Sequence, residues 1–131
     1  MSTNDTNKKI IHKELSYKLV GLFFEIHNAL GRFCKEKQYG DALEELLRKQ
    51  GVQYKREKEI PVLGIPNKFT NKADFVINEE ILLELKAKPI ITKENYYQTN
   101  RYLNASGYKL GMIVNFRNKY LKPIRVIRAN S

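Results

Sequence analysis

Asp74, and ten residues later Glu84 with Lys86 two beyond it, stand inside an apolar stretch where charge is ordinarily avoided. The flanking segments, Lys72 to Asn78 and Ile81 to Ala87, read as two strands joined by the short polar connection Asn78-Glu79-Glu80, which makes a hairpin. Side chains alternate along a strand, so Glu84 and Lys86 share one face while Leu83, Leu85 and Ala87 take the other. A three-residue loop pairs Ile77 with Ile81 and sets Asp74 directly opposite Glu84 on that face. Opposed side chains in an antiparallel pair have Cβ atoms about 4.5–5.5 Å apart, so the two carboxylates repel unless something neutralises them.

A divalent cation would do so. Two carboxylates can hold a hard ion such as Mg²⁺, which keeps most of its waters and takes phosphate oxygens as further ligands. The chemistry these residue types suggest is metal-assisted phosphodiester hydrolysis, with the lysine orienting or deprotonating water and offsetting developing charge. An acid-x-Lys triplet alone is also what an ordinary solvated strand carries; Asp74 at hairpin-compatible spacing is what makes the pattern more specific.

The elements that must position these groups can be read outward from the hairpin. Tyr17, Val20, Phe24, His27 and Gly31 recur near helical spacing and predict a first helix ending around Gly31. A second helix is predicted from about Lys35 to Gln50, with Gly51 as its stop. Residues 52–62 alternate into a strand, after which Pro61, Gly64 and Pro66 break the chain. A third helix is predicted from about Lys93 to Ser106, stopped by Gly107. The apolar run Leu110 to Phe116 has the character of a buried strand, and Leu121 to Ile127 of an edge strand.

The run Val20 to Gly31, then Glu36-Lys37-Gln38-Tyr39 and Ala42-Leu43, together with Ala73-Asp74-Phe75, Glu84-Leu85-Lys86 and Leu110 to Phe116, resembles the GxxExxY family of the PD-(D/E)XK nuclease superfamily. The resemblance spans roughly residues 15 to 128. It implies an α/β, restriction-endonuclease-like sandwich with a central mixed β-sheet flanked by α-helices, in the order α-α-β-β-β-α-β-β. It also implies Asp74 and Glu84 as metal ligands, Lys86 as the catalytic lysine, Glu36 as a further catalytic acid or ligand, and Mg²⁺ or Mn²⁺ as cofactor. Glu36 can equally be read as a helix acid favoured near an N-terminus by the dipole. Gln98 and Tyr102, four apart on one helix face, resemble the Gln-x-x-x-Tyr element of RecB-like nucleases, which implies a part in positioning nucleic acid. One departure is plain: the glycine that opens the family's namesake motif is Phe33 here, so the turn before the second helix is expected to differ.

Charge supports a polyanionic partner. Residues 1–85 carry 14 basic and 13 acidic side chains, whereas residues 86–131 carry 10 basic ones and a single acid, Glu94. Because these cations are spread through predicted strands and turns, they form a folded basic surface suited to a phosphate backbone. Lys93, Arg101, Lys122, Arg125 and Arg128 are the candidates for contacting nucleic acid, with DNA expected before RNA. A homodimer is compatible with this reading, since one 131-residue protomer covers little duplex. The lone Cys34 allows neither an internal disulfide nor a cysteine zinc site. No apolar run approaches a membrane span and the start shows no signal-peptide pattern, so a cytoplasmic protein is expected. Residues 1–13 are expected to be a flexible arm and residues 14–128 the nuclease-like domain. The rival reading is a non-catalytic nucleic-acid-binding module on the same fold; a protein-interaction subunit is a third.

Overall fold

The computed structural model describes residues 12–64 and 71–128. Most of the expected amino-terminal arm, and Pro66 in the break before the hairpin, lie outside the described residues. The elements run α1 (Lys13–Leu30), α2 (Glu36–Lys49), β1 (Tyr54–Glu59), β2 (Lys72–Ile77), β3 (Ile81–Lys86), α3 (Lys93–Ser106), β4 (Leu110–Asn115) and β5 (Ile124–Ile127), the order expected from the sequence.

Each boundary has a local cause. α1 stops at Gly31, whose φ of 76° few other residues adopt readily. α2 begins after Lys35, whose N–H is taken by the Gln38 side chain at 2.8 Å. α3 is opened by a reciprocal arrangement of Thr92 and Asn95 and closed by Gly107 at φ 86°. The hairpin turn places Asn78 and Glu79 at φ 52° and 54°, left-handed values that suit the asparagine.

The five strands lie in spatial order β1-β2-β3-β4-β5. All neighbours are antiparallel except β3 and β4, which run parallel and are joined through α3. One face, with Phe75, Ile81, Leu83, Leu85, Met112 and Val114, packs on α1 and α2 through Leu19, Phe23, Tyr39, Leu43 and Leu47. The other, with Val76, Leu82, Ile113 and Val126, packs on Tyr102 and Leu103 of α3. Leu110 to Asn115 is buried on both faces, as a near-continuous apolar run predicts. Gly111 lets α3 lie close: a Cβ there would stand 2.8 Å from Thr99 Cγ2 and 3.3 Å from Leu103 Cδ1. None of the described helices is long and apolar enough to cross a membrane.

Candidate active site

The β2–β3 hairpin has the expected register, Ile77 against Ile81 and Val76 against Leu82, but its backbone ladder ends at Phe75 against Leu83. Asp74 and Glu84 are the next residues on each strand. From there β2 continues pairing with β1, and β3 with β4, through Glu84 against Ile113 to Lys86 against Asn115. The two central strands therefore fork at the carboxylates, where Asp74 was expected to pair directly opposite Glu84.

The fork leaves N–H groups of β3 without strand partners, and carboxylates take two of them. The Asp74 Oδ2 accepts from Leu85 N–H at 2.7 Å, and the Glu36 Oε2 accepts from Ala87 N–H at 3.3 Å. Leu85 and Ala87 are two residues apart, so their N–H groups point the same way and lie about 6.6 Å apart along the strand. Glu36, the first residue of α2, thus reaches the sheet from the helical layer opposite α3. Asp74 and Glu36 line a common cleft of about 520 Å³ with Lys37, Asp41, Arg56 and Glu57.

Glu84 is 4% exposed and shares with Leu82 the side of β3 that faces α3. Burial first, then the charge of Asp74 and a hydrogen bond with it, pushes the Glu84 carboxyl up to about 9; Lys86 pulls the other way. Burial beside a second acid thus favours the protonated form of Glu84. Tyr102 stands within the field of both acids: burial and then the Glu84 carboxyl raise its phenol above the ordinary value. Its hydroxyl accepts a hydrogen bond from Gln98 Nε2 at 3.0 Å, so the two α3 residues singled out by their spacing form one unit beside the carboxylates.

Among the described residues no three His, Cys, Asp or Glu side chains are grouped so as to hold a metal ion by themselves. The two adjacent oxygen donors nevertheless fit a hard divalent cation, since Mg²⁺ is commonly held by one or two carboxylates and completes its shell with water and substrate phosphate. Glu36, held on the Ala87 amide, lines the cleft together with Asp74.

The remaining candidates are dispersed. Lys93 and Arg101 are exposed on α3. Lys122 is exposed just before β5, and Arg125 and Arg128 lie on or just after that strand, which is two strands from β3. Arg125 Nη1 donates to Ser16 Oγ of α1 at 2.6 Å, and Arg128 Nη1 to the Gly107 carbonyl at 2.9 Å. These two guanidinium groups tie β5 to the helices.

Several residues at the site carried no clear signal in the sequence. Glu57, on β1 beside Asp74, has φ 52°, a strained value for a glutamate in a strand. Arg56 joins β1 to α2, donating to Asp41 at 2.7 Å and Glu44 at 3.1 Å, across the backbone of Gly40. Buried Asn115 clamps the chain after the lysine: its Oδ1 accepts Lys88 N–H at 3.1 Å and its Nδ2 donates to the Lys88 carbonyl at 2.7 Å. Asn115 stands level with Lys86 in the β3–β4 register. Tyr39 fills the core, stacked on Phe116 at 4.2 Å. Its hydroxyl donates to the Gly31 carbonyl at 2.6 Å and accepts Cys34 N–H at 3.1 Å, holding the turn that carries Phe33. Phe33 is not among the positive-φ residues, so its backbone makes no demand for the missing glycine. His27 is a packing residue, stacked near Phe116 and hydrogen-bonded to the Asn118 carbonyl at 2.8 Å.

A mixed five-stranded sheet between helical layers, forked at a pair of carboxylates with a lysine two residues on, defines an α/β domain of the restriction-endonuclease-like class. The chain belongs to the PD-(D/E)XK nuclease superfamily, whose profile matches residues 13–127. Members of that superfamily generally use divalent metal ions. The fold is similar to that of an alkaline exonuclease from Laribacter hongkongensis, with TM-score 0.50 and 14% identity over 69% of this chain and 54% of that one. It is also similar to the structure of SSO0001, with TM-score 0.52 and 20% identity over 71% of this chain and 50% of that one. The chain thus spans about half the length of these two structures. No curated protein matches the sequence significantly.

Proposed function

We propose that this protein is a metal-dependent nuclease that hydrolyses phosphodiester bonds, of DNA before RNA, and that within its superfamily it is of the GxxExxY kind. The observation that carries the reading is the Asp74–Glu84 pair at the fork: Glu84 is buried, Asp74 is fixed on the Leu85 amide, and Lys86 stands two residues on. In this reading Asp74 and Glu84 are the residues that hold Mg²⁺ or Mn²⁺. The bound ion supplies Lewis-acid polarisation of the scissile phosphate and acidification of water.

The chain's own groups supply the rest. The Lys86 ammonium, on the same strand face as Glu84, orients the attacking water or takes its proton and stabilises charge on the phosphate oxygens. Glu36, fixed on the Ala87 amide, is a further ligand or an acid that orders water at the rim. Gln98 and Tyr102 shape the groove on the α3 side, and Lys93 and Arg101 on the same helix contact phosphates. Residues 14–128 constitute the nuclease domain, acting in the cytoplasm, with a dimer as one way to cover a duplex. The deciding experiment incubates purified protein with single-stranded, duplex and branched DNA and with RNA, with and without Mg²⁺ or Mn²⁺. Cleavage that requires the ion and disappears in Asp74→Ala supports the proposal; binding without cleavage under every condition would make the domain a nucleic-acid-binding module instead.

A further inference from the structure

A second surface lies next to the carboxylate site and has different chemistry. Phe33 and Tyr120 are 75% and 80% exposed, unusually so for large aromatic rings. Together with Arg32, Arg117, Lys119 and Pro89 they line a shallow groove of about 480 Å³ that contains no acidic residue. The rings are held in place by cations: the Arg32 and Arg117 guanidinium carbons lie 4.9 and 5.5 Å from the Phe33 centroid, and Lys119 Nζ lies 5.5 Å from that of Tyr120. The two arginines are in turn locked to each other's backbone, Arg32 Nε donating to the Arg117 carbonyl at 2.8 Å and Arg117 Nε to the Arg32 carbonyl at 3.1 Å.

The groove is continuous with the catalytic strand. Arg117 Nη2 donates to the Ala87 carbonyl at 3.2 Å, while the N–H of the same Ala87 is held by Glu36. One residue, immediately after Lys86, therefore joins the carboxylate fork to the aromatic groove. Exposed rings beside cations are what unpaired nucleotides require: bases stack on the rings and the backbone runs along the positive charges. A duplex hides its base faces and has little use for such rings.

Building on the nuclease reading, we propose that the Phe33–Tyr120 groove is a stacking platform for unpaired nucleotides of the substrate strand, which makes single-stranded regions the preferred substrate. The position where the chain departs from its family motif then carries a substrate contact.

The test measures binding of labelled oligodeoxythymidylate and of a blunt mixed-sequence duplex in Ca²⁺, over a range of salt, for the wild type, Phe33→Ala/Tyr120→Ala and Phe33→Trp. Both rings are exposed, so the substitutions do not disturb the core. Loss of each stacked base is expected to weaken single-strand binding about 5- to 150-fold, with the salt slope unchanged because every cation remains. Blunt-duplex affinity is expected to stay as it was, and Phe33→Trp to retain single-strand binding. Lys119→Gln should reduce the single-strand salt slope by about 0.7. Single-strand binding unaffected by the double substitution would overturn the platform and leave the groove to an acidic protein partner; an equal loss on duplex would overturn it as well. Absence of metal-dependent cleavage by the wild type, with ring-dependent single-strand binding intact, would overturn the nuclease reading and leave the platform standing.

Discussion

The Asp74 carboxylate accepts the backbone N–H of Leu85 at 2.7 Å, in the position where a strand carbonyl would stand had β2 and β3 stayed paired. A catalytic candidate is thereby also a structural cap on the fork. Its removal and the removal of Glu84 should differ. Asp74→Ala should abolish metal-dependent cleavage and cost about 1–3 kcal/mol, because the Leu85 amide loses its acceptor. Glu84→Gln should abolish cleavage with unchanged or higher stability in the absence of metal, since it removes a buried acid that is hard to ionise. Urea unfolding in EDTA, alongside a cleavage assay, separates the two.

The raised Glu84 carboxyl makes metal-free stability depend on pH. A folded-state value of about 9 lies above the ordinary carboxylate value of 4.5, so the folded protein binds the proton more tightly than the unfolded chain. This contribution is full below pH 4.5 and is lost as pH rises toward about 9. The melting temperature in EDTA should fall across that window, and Glu84→Gln should flatten the slope. Mg²⁺ or Mn²⁺ should restore stability, most strongly at the alkaline end, because ligation needs the deprotonated carboxylate. A pH-independent difference between wild type and Glu84→Gln would refute the assignment.

Lys86→Ala should lower single-turnover cleavage by roughly 10²-fold or more while changing substrate binding little, as expected of a group that acts on charge developing in the reaction. Equal losses in binding and turnover would instead make Lys86 a phosphate-gripping residue.

Gly111→Ala would place a methyl 2.8 Å from Thr99 Cγ2 and 3.3 Å from Leu103 Cδ1, forcing α3 away from β4. Overpacking of this kind costs about 1–3 kcal/mol. Since α3 carries Gln98 and Tyr102, nucleic-acid affinity should fall along with the urea midpoint.

The salt dependence of duplex binding should trace to α3 more than to β5. Replacing Lys93 and Arg101 with Gln should reduce the slope of log K on log salt by about 0.9 for each phosphate that these side chains neutralise. Replacing Arg125 should act chiefly on stability, because its guanidinium holds Ser16 of α1. A larger slope change from Lys122, Arg125 and Arg128 together would move the binding surface to the edge strand.

What the sequence by itself determined is whatever depends on local periodicity and turn length. Helix limits followed from Gly31, Gly51 and Gly107, and the hairpin register from its three-residue connection. The alternation of Glu84 and Lys86 with Leu83 and Leu85 put the two charged candidates on one face, because a strand offers its side chains only two directions. Spacing by four likewise paired Gln98 with Tyr102. Only the tertiary structure decided that β2 and β3 part at Asp74, since strand separation is imposed by each strand's outer partner and has no local code. It alone brought Glu36 of α2 to the Ala87 amide, set the left-handed Glu57 beside the cleft, and used Arg125 to fasten the edge strand. The groove of Phe33 and Tyr120 is assembled from two loops far apart in the chain, joined by the reciprocal Arg32–Arg117 hydrogen bonds. No window of sequence contains both halves of such a surface, so their meeting is a property of the fold.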